Sequence, residues 1–208
     1  MSTTRPGAAS QVMHDAPRLP SRKLAVWLFL GSEIVFFSAL IFAYIVLRIT
    51  SPDWPTHPEI AEVLNIGLTA INTFILIVSS VSVVLALEAI TRGNQRGLRL
   101  WLGVTFVLGV IFLSIQAYEY VHLIADGLTI TKSPIPDTDT MFATTFFTMT
   151  GFHGMHVLGG VLTLAIVLVK AMRGLYTREH HEGVELFGLY WHFVDVVWII
   201  LFTIAYLI

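Results

Sequence analysis

Five long apolar stretches dominate the pattern of hydrophobic and polar positions along the chain. They cover residues 24–47, 66–87, 98–118, 141–169 and 186–208, and almost no charge interrupts them. Each has about 20 residues or more, the length a helix needs to cross roughly 30 Å of hydrocarbon. A transmembrane barrel would instead show alternating segments of about ten residues. The pattern predicts an all-α polytopic membrane protein, a bundle of five transmembrane helices.

Turn-forming and charged residues between the stretches set the predicted boundaries. We expect helices at about 24–48, 63–90, 98–123, 141–170 and 185–208, in one membrane domain that covers 21–208. Residues 1–20 mix Pro, Ser, Thr, Ala and Gly without periodicity, which predicts a disordered cytoplasmic tail. The first apolar stretch is too long for a signal peptide and lacks a small-residue cleavage site, so we expect a retained helix.

Lys and Arg are distributed unevenly between the two sides of this bundle. The N-terminal flank, the second loop and the fourth loop carry all of them except Arg48 and Lys132. Because cytoplasmic loops are enriched in Lys and Arg, the N-terminus is predicted to be cytoplasmic. An odd number of helices then places the C-terminus outside.

Composition further narrows the class of protein and the functions open to it. The chain is 55% hydrophobic and 12% charged, about half the charged share of a soluble domain. It contains no Cys, which excludes disulfides, thiolate metal sites and cysteine nucleophiles. The net charge of −2 and the absence of a basic run argue against nucleic acid as a partner.

Ionisable side chains inside the predicted helices are the candidate site residues. Each is costly in lipid and is therefore expected to face another helix, a cavity or another subunit. They are Glu33 in the first helix, Glu119 and His122 in the third, His153 and His156 in the fourth, and His192 and Asp195 in the fifth. For the last six, we expect hydrogen-bonded contacts between helices, because most buried polar groups are satisfied in this way.

The spacing of Glu and His residues resembles that of some metal sites, but the sequence lacks the further ligands that such sites need. Glu119 and His122 have the Glu-x-x-His spacing of di-iron proteins, but such sites use two of these motifs. His153 and His156 lack a His at the same depth on another helix for haem ligation, and a third ligand for copper. We therefore predict no metal and no catalytic residue in this chain.

Glu33 differs from the other candidates because no cation lies near it in sequence. A carboxyl in such apolar surroundings is expected to stay neutral. It is therefore a candidate for proton handling or for carbodiimide modification, and equally for a simple hydrogen bond to a neighbouring helix. Counting residues places Glu33, His192 and Asp195 at one depth. We expect His153, His156 or His192 as its partner.

Each predicted helix carries one further motif. In order, these are WLFLGSEIVFF at 27–37, INT at 71–73, QAYEY at 116–120, TGFHGMHV at 150–157 and YWHFVDVVW at 190–198. Together the five motifs resemble subunit III of the haem–copper respiratory oxidases. Longer members of that family have two more N-terminal helices. The chain resembles the five-helix form found in bacterial cytochrome c oxidases and quinol oxidases.

The resemblance implies a subunit without a redox centre of its own, in a proton-translocating complex that reduces oxygen to water. Haem and copper would belong to partner subunits, and oxidase subunits I and II and membrane phospholipids would be the partners. A respiratory supercomplex and a quinol-oxidising complex stay open as alternatives. The resemblance also implies a bacterial plasma-membrane location, support of proton uptake, and a match of Glu33 to the carbodiimide-reactive glutamate.

Two other classes of function compete with this interpretation. An independent metal-binding membrane enzyme would need its own ligand set. A proton-coupled transporter could use Glu33 as its coupling residue, but such transporters usually show internal repeats and broken helices. The sequence shows no repeat, and only the glycines of the fourth helix hint at a break.

Overall fold

The computed structural model describes residues 21–134 and 140–208. The predicted tail at 1–20 and part of the third loop, including Pro136, lie outside the described residues. The elements are α1 (Ser21–Thr50), α2 (His57–Val63), α3 (Ile66–Thr91), α4 (Gln95–Ala125), α5 (Met141–Met172) and α6 (Glu182–Phe202), and a π-helical end at Thr203–Leu207. Five of them, all except α2, are long and apolar enough to cross a membrane. The predicted five-helix architecture is confirmed.

The short helix α2 replaces part of the first predicted loop. It begins with a capping box, in which the Thr56 backbone N–H donates to the Glu59 carboxylate at 2.6 Å. The Thr56 hydroxyl donates to the same carboxylate oxygen at 2.8 Å. These hydrogen bonds lower the pKa of Glu59, because they stabilise its ionised form. A capping box can stabilise a helix of about two turns that hydrophobic periodicity does not reveal.

Helices α3 to α6 form the packed body of the bundle. Neighbouring contacts join α3 with α4, α4 with α5, α5 with α6, and α6 with α3. The turn between α3 and α4 is short, and Gly93 closes it with a left-handed φ of 76°. Glycine adopts this conformation without a Cβ penalty and so ends helices efficiently.

Helix α1 lies at the edge of this body and packs on α5 and α6. Its fully buried residues, Leu30, Phe37 and Tyr44, recur every seven positions and form a single narrow stripe. The other side of α1 exposes large apolar side chains such as Trp27, Val35 and Phe42. In a membrane such a surface faces lipid or another subunit.

Trp191 of α6 sets the close approach of the helices in the core. Its ring lies against two glycines, Gly109 of α4 and Gly160 of α5. A Cβ added to Gly160 would lie 2.6 Å from Cζ3 of Trp191, which no real structure tolerates without movement. The Trp191 indole N–H also donates to the Ser79 hydroxyl at 3.0 Å. One side chain therefore joins all four helices of the body.

Charged contacts join helix ends at the side predicted to be cytoplasmic. Lys23 at the start of α1 pairs with Glu185 at the start of α6, with Nζ and Oε1 2.7 Å apart. Beside it, Arg22 lies 3.8 Å from Glu182. At the opposite end, Arg48 donates to the backbone carbonyl of Ile208. These contacts hold the peripheral helix α1 to α6 at both of its ends.

We expect Gly160→Ala to destabilise the bundle, because the new methyl group would overlap the Trp191 ring. Overpacking of this kind costs about 1–3 kcal/mol, more than the helix propensity gained from alanine, which is up to about 1 kcal/mol. Gly159→Ala is the matched control, since the nearest atom to its added Cβ, Tyr190 Oη, lies 3.8 Å away. Thermal denaturation of the purified protein in detergent measures both. Equal melting temperatures for the two variants would contradict this packing.

Candidate functional site

Glu33 of α1 and His156 of α5 form a hydrogen-bonded pair. Glu33 Oε2 lies 3.0 Å from His156 Nε2. The side chains are 16% and 18% exposed, so the pair lies at the edge of the bundle rather than in its centre. Of the three histidines that the sequence offered as partners of Glu33, the structure places His156 against it.

A second hydrogen bond fixes how many protons this pair holds. His156 Nδ1 lies 2.7 Å from the backbone carbonyl of Phe152, which can only accept, so Nδ1 carries a hydrogen. The Nε2–Oε2 contact then requires one proton between the two atoms. The pair is either a neutral imidazole with a protonated carboxyl or an imidazolium with a carboxylate. In either form the two side chains pair with each other, which costs less in a membrane than either group alone.

Aromatic rings surround the pair and complete its attachment to the bundle. The ring of Phe37 lies 5.0 Å from the His156 ring, and that of Phe36 lies 6.4 Å from it. The Tyr190 hydroxyl donates to the His156 backbone carbonyl at 2.9 Å. Helices α1, α5 and α6 therefore meet at one polar contact inside an apolar shell, which excludes competing hydrogen-bond partners.

Glu119 belongs to a separate polar group at the end of α4. Its Oε1 accepts from the Thr69 hydroxyl of α3 at 2.8 Å and from the Tyr206 hydroxyl at 3.3 Å. The side chain is buried and lies beside an open cavity of about 530 Å³, which Asn65 and His122 also line. Glu119 therefore joins the beginning of α3, the end of α4 and the π-helical end of the chain.

His153 lies in the centre of the bundle, where it contacts α6. Its Nε2–H donates to the Val194 carbonyl at 3.1 Å. Its ring stacks on Trp198 with a centroid distance of 4.6 Å. The Trp198 indole N–H in turn donates to the Thr73 hydroxyl at 2.9 Å. His153 thus helps to hold α5, α6 and α3 together.

His192 and Asp195 of α6 both face Ser80 of α3. The Ser80 hydroxyl lies 2.7 Å from His192 Nδ1. Asp195 is buried and lies close enough to Ser80 and His192 to interact with both. The two side chains predicted to share one helix face are therefore in contact with the same hydroxyl on a neighbouring helix.

His122 does not make the predicted contact between helices. It is exposed, its Nδ1 hydrogen-bonds the Tyr118 carbonyl of its own helix at 3.0 Å, and its ring stacks on Tyr118. Residues three apart on a helix differ in direction by about 60°. Glu119 points into the bundle, and His122, one turn from the end of α4, points away from it.

A difference in direction of about 60° also separates His153 from His156, and the two side chains contact different helices. In the described ranges, 21–134 and 140–208, no cluster of three or more His, Asp or Glu side chains is arranged to hold a metal. The Glu-x-x-His spacing at 119–122 therefore does not bring its two side chains to a common point.

The hydrogen-bonding partners on α3 were missed by the sequence analysis. They are hydroxyls and one amide, all buried: Thr69, Asn72, Thr73, Ser79, Ser80 and Ser82. Asn72 and Thr73 follow Thr69 by three and four residues, and Ser79 and Ser80 follow them by seven, which marks a polar face of a helix. This pattern was present in the sequence. The prediction took only ionisable side chains as candidates, so it did not include these uncharged ones.

We expect the Glu33–His156 pair to show energetic coupling. His156→Leu should lower the melting temperature because Glu33 loses its partner, at a cost of about 1–3 kcal/mol. In the double variant with Glu33→Leu, the loss should be smaller than the sum of the single losses. Thermal denaturation of the four proteins in detergent measures the coupling. The control cycle combines Glu33→Leu with His192→Leu, whose effects should add; additive losses in the test cycle would exclude a direct pair.

Comparison with known proteins gives one consistent result. The family model of cytochrome c oxidase subunit III matches residues 8–208. "Cytochrome c oxidase subunit 3" of Synechocystis sp. is 42% identical over the whole chain and 83% of that relative. The protein of the same name from Thermostichus vulcanus is 40% identical over 97% of the chain and 94% of the relative. With this level of identity over nearly full length, the chain belongs to the cytochrome c oxidase subunit III family.

Proposed function

We propose that the chain is the subunit III of a haem–copper terminal oxidase, a complex that reduces oxygen to water and translocates protons. The observation that carries the proposal is full-length similarity to proteins named as this subunit. The fold agrees, because its polar side chains join its own helices to each other. The chain acts as a support for the catalytic subunits.

In this proposal, the partner subunits of this chain carry out the redox chemistry of the complex. Subunits I and II hold the haem and copper, and this chain packs beside subunit I through part of its apolar surface. The His and Asp side chains described above are engaged with helix backbones, hydroxyls or a carboxyl. Each contact contributes to the shape of the bundle, so the role of these residues is structural and none is catalytic.

Cytochrome c is the electron donor that the comparisons favour over a quinol. The relatives from Corynebacterium diphtheriae and the two organisms above all carry the name cytochrome c oxidase subunit 3. The choice of donor lies on subunit II. This chain contributes to it only as a member of the same complex.

Phospholipid binding and support of proton uptake complete the proposal. An open apolar groove of about 480 Å³ runs between α1, α5 and α6, lined among others by Phe29, Thr163 and Tyr190. Its mainly apolar lining suits an acyl chain. Lys23 and Arg22 lie at the same end of α1, where a lipid headgroup would be.

The charges of the bundle support an orientation with the N-terminus in the cytoplasm. The start of α1, the α3–α4 turn and the α5–α6 loop carry most of the Lys and Arg residues. Contacts between Gln95 and the Tyr176 carbonyl, and between Arg99 and the Ala171 carbonyl, hold these segments at one end. An excess of positive charge at one end is typical of the cytoplasmic side.

Purification of the tagged chain from its native membranes tests the assignment. We expect haem-containing and copper-containing subunits to copurify in mild detergent, with oxygen reduction that depends on reduced cytochrome c. The chain separated from those subunits should have no Soret band and no stoichiometric iron or copper. A chain that purifies alone, or one that keeps its own haem or metal, would contradict the proposal.

Carbodiimide labelling tests the role assigned to Glu33. Reaction requires a protonated carboxyl that the apolar reagent can reach, and Glu33 is partly exposed at the bundle edge. Glu33→Gln should abolish labelling of this chain and leave assembly and haem spectra unchanged. Glu119→Gln is the control and should keep the labelling, because Glu119 is only 4% exposed. Labelling that persists in Glu33→Gln would exclude Glu33 as the reactive carboxyl.

A further inference from the structure

Three polar side chains near the middle of the bundle each keep one atom without a hydrogen-bond partner among the described residues. The atoms are Asn72 Oδ1 on α3, Gln116 Oε1 on α4 and His153 Nδ1 on α5. The side chains are 1%, 6% and 0% exposed, so neither bulk water nor a lipid headgroup reaches them. An unsatisfied polar atom at such a place costs several kcal/mol, roughly, in hydrocarbon.

The three atoms share one chemical character, since all are acceptors. Asn72 Nδ2 donates to the Phe112 carbonyl at 3.2 Å, and Gln116 Nε2 donates to the Thr150 carbonyl at 3.0 Å. His153 uses its Nε2–H on the Val194 carbonyl, which leaves a lone pair on Nδ1 of the neutral ring. Each side chain has therefore committed a donor to a backbone carbonyl and presents an acceptor.

Shared neighbours place the three side chains in one layer of the bundle. Asn72 bonds the carbonyl of Phe112, whose ring centroid lies 6.0 Å from that of His153. Gln116 is one helical turn beyond Phe112. Its Oε1 lies 3.0 Å from where a Cβ on Gly154, the residue after His153, would be. The acceptors come from three different helices that meet at this layer.

The protein donors around the layer are already engaged. The Trp198 indole N–H donates to Thr73, and the Thr73 hydroxyl donates to the Thr69 carbonyl. The Thr150 hydroxyl donates to the Phe146 carbonyl, so its contact with Tyr120 uses the Tyr120 hydrogen. Among the described residues, these donors can bond the acceptors only by breaking an existing hydrogen bond.

We propose that Asn72, Gln116 and His153 form an internal water-binding site. Buried water commonly satisfies such groups and makes about three hydrogen bonds. Two linked waters carry four O–H groups, one for the link between them and three for the three acceptors. A cation would also suit acceptors, but the three are neutral and offer no compensating charge in a low-dielectric interior.

The site adds a water-mediated link among α3, α4 and α5, helices that direct hydrogen bonds also join at this level. Water bridges Asn72 on α3, Gln116 on α4 and His153 on α5, and the His153 N–H extends the link to Val194 on α6. A bridging water is nearly as favourable in enthalpy as a direct hydrogen bond. The body of the bundle thus has a hydrated centre, which does not depend on which complex the chain joins.

The test is a structure of the protein as isolated from its membrane, with all copurifying subunits, at a resolution that shows ordered water. We expect density within about 2.7–3.2 Å of at least two of the three acceptor atoms. Absence of density there would overturn the proposal. Density with the anomalous signal or coordination distances of a metal would also overturn it.

Variants that remove one acceptor at a time test which side chain each water contacts. Gln116→Leu should lose the density next to residue 116, and Ser114→Ala, on the exposed side of the same helix, should keep all of it. If Gln116→Leu does not accumulate, Asn72→Leu serves instead and should lose the density next to residue 72. Density that stays unchanged when its acceptor is removed, or side chains that rearrange to bond each other directly, would overturn the proposal.

Discussion

Hydrocarbon offers no hydrogen bonds, and this constraint governs where the polar side chains of the bundle lie. A buried polar atom must find its partner inside the protein or pay several kcal/mol, roughly. Helix α3 shows the response most clearly. Its buried hydroxyls and Asn72 face α4 and α6, and its exposed positions from Ala70 to Val84, such as Ile71 and Phe74, are apolar. The helix is therefore oriented by its polar face, because apolar side chains alone would pack equally well against lipid.

Polar contacts between helices require close approach, and small residues provide it. Trp191 can reach Ser79 only because Gly109 and Gly160 leave space for its ring. Gln116 lies against Gly154 in the same way. Large aromatic rings then fill the space between the helices, and their N–H groups bond to hydroxyls on α3. Tight packing and polar satisfaction are thus two results of the same arrangement of glycines and tryptophans.

The sequence predicted the five spanning helices because length and apolar content are sufficient to recognise them. It also predicted that Glu33 would meet a histidine of another helix, but not which one, since helix tilt and starting depth are not encoded in local spacing. The wrong expectation for His122 has a similar origin. A spacing of three places two side chains on roughly one face, and the small difference in direction decides burial where a helix reaches the bundle edge. Helix α2 was missed because a helix of about two turns depends on its cap rather than on periodicity.

The attachment of α1 differs in kind from the packing of the other helices. Helices α3 to α6 share a core in which rings interlock, whereas α1 contributes one narrow stripe and a few polar contacts at its ends and middle. The middle contact, between Glu33 and His156, is a hydrogen bond between two polar side chains at the edge of the bundle. Each of the two side chains would be costly in hydrocarbon without the other. The attachment of α1 at this level therefore depends on both members of the pair.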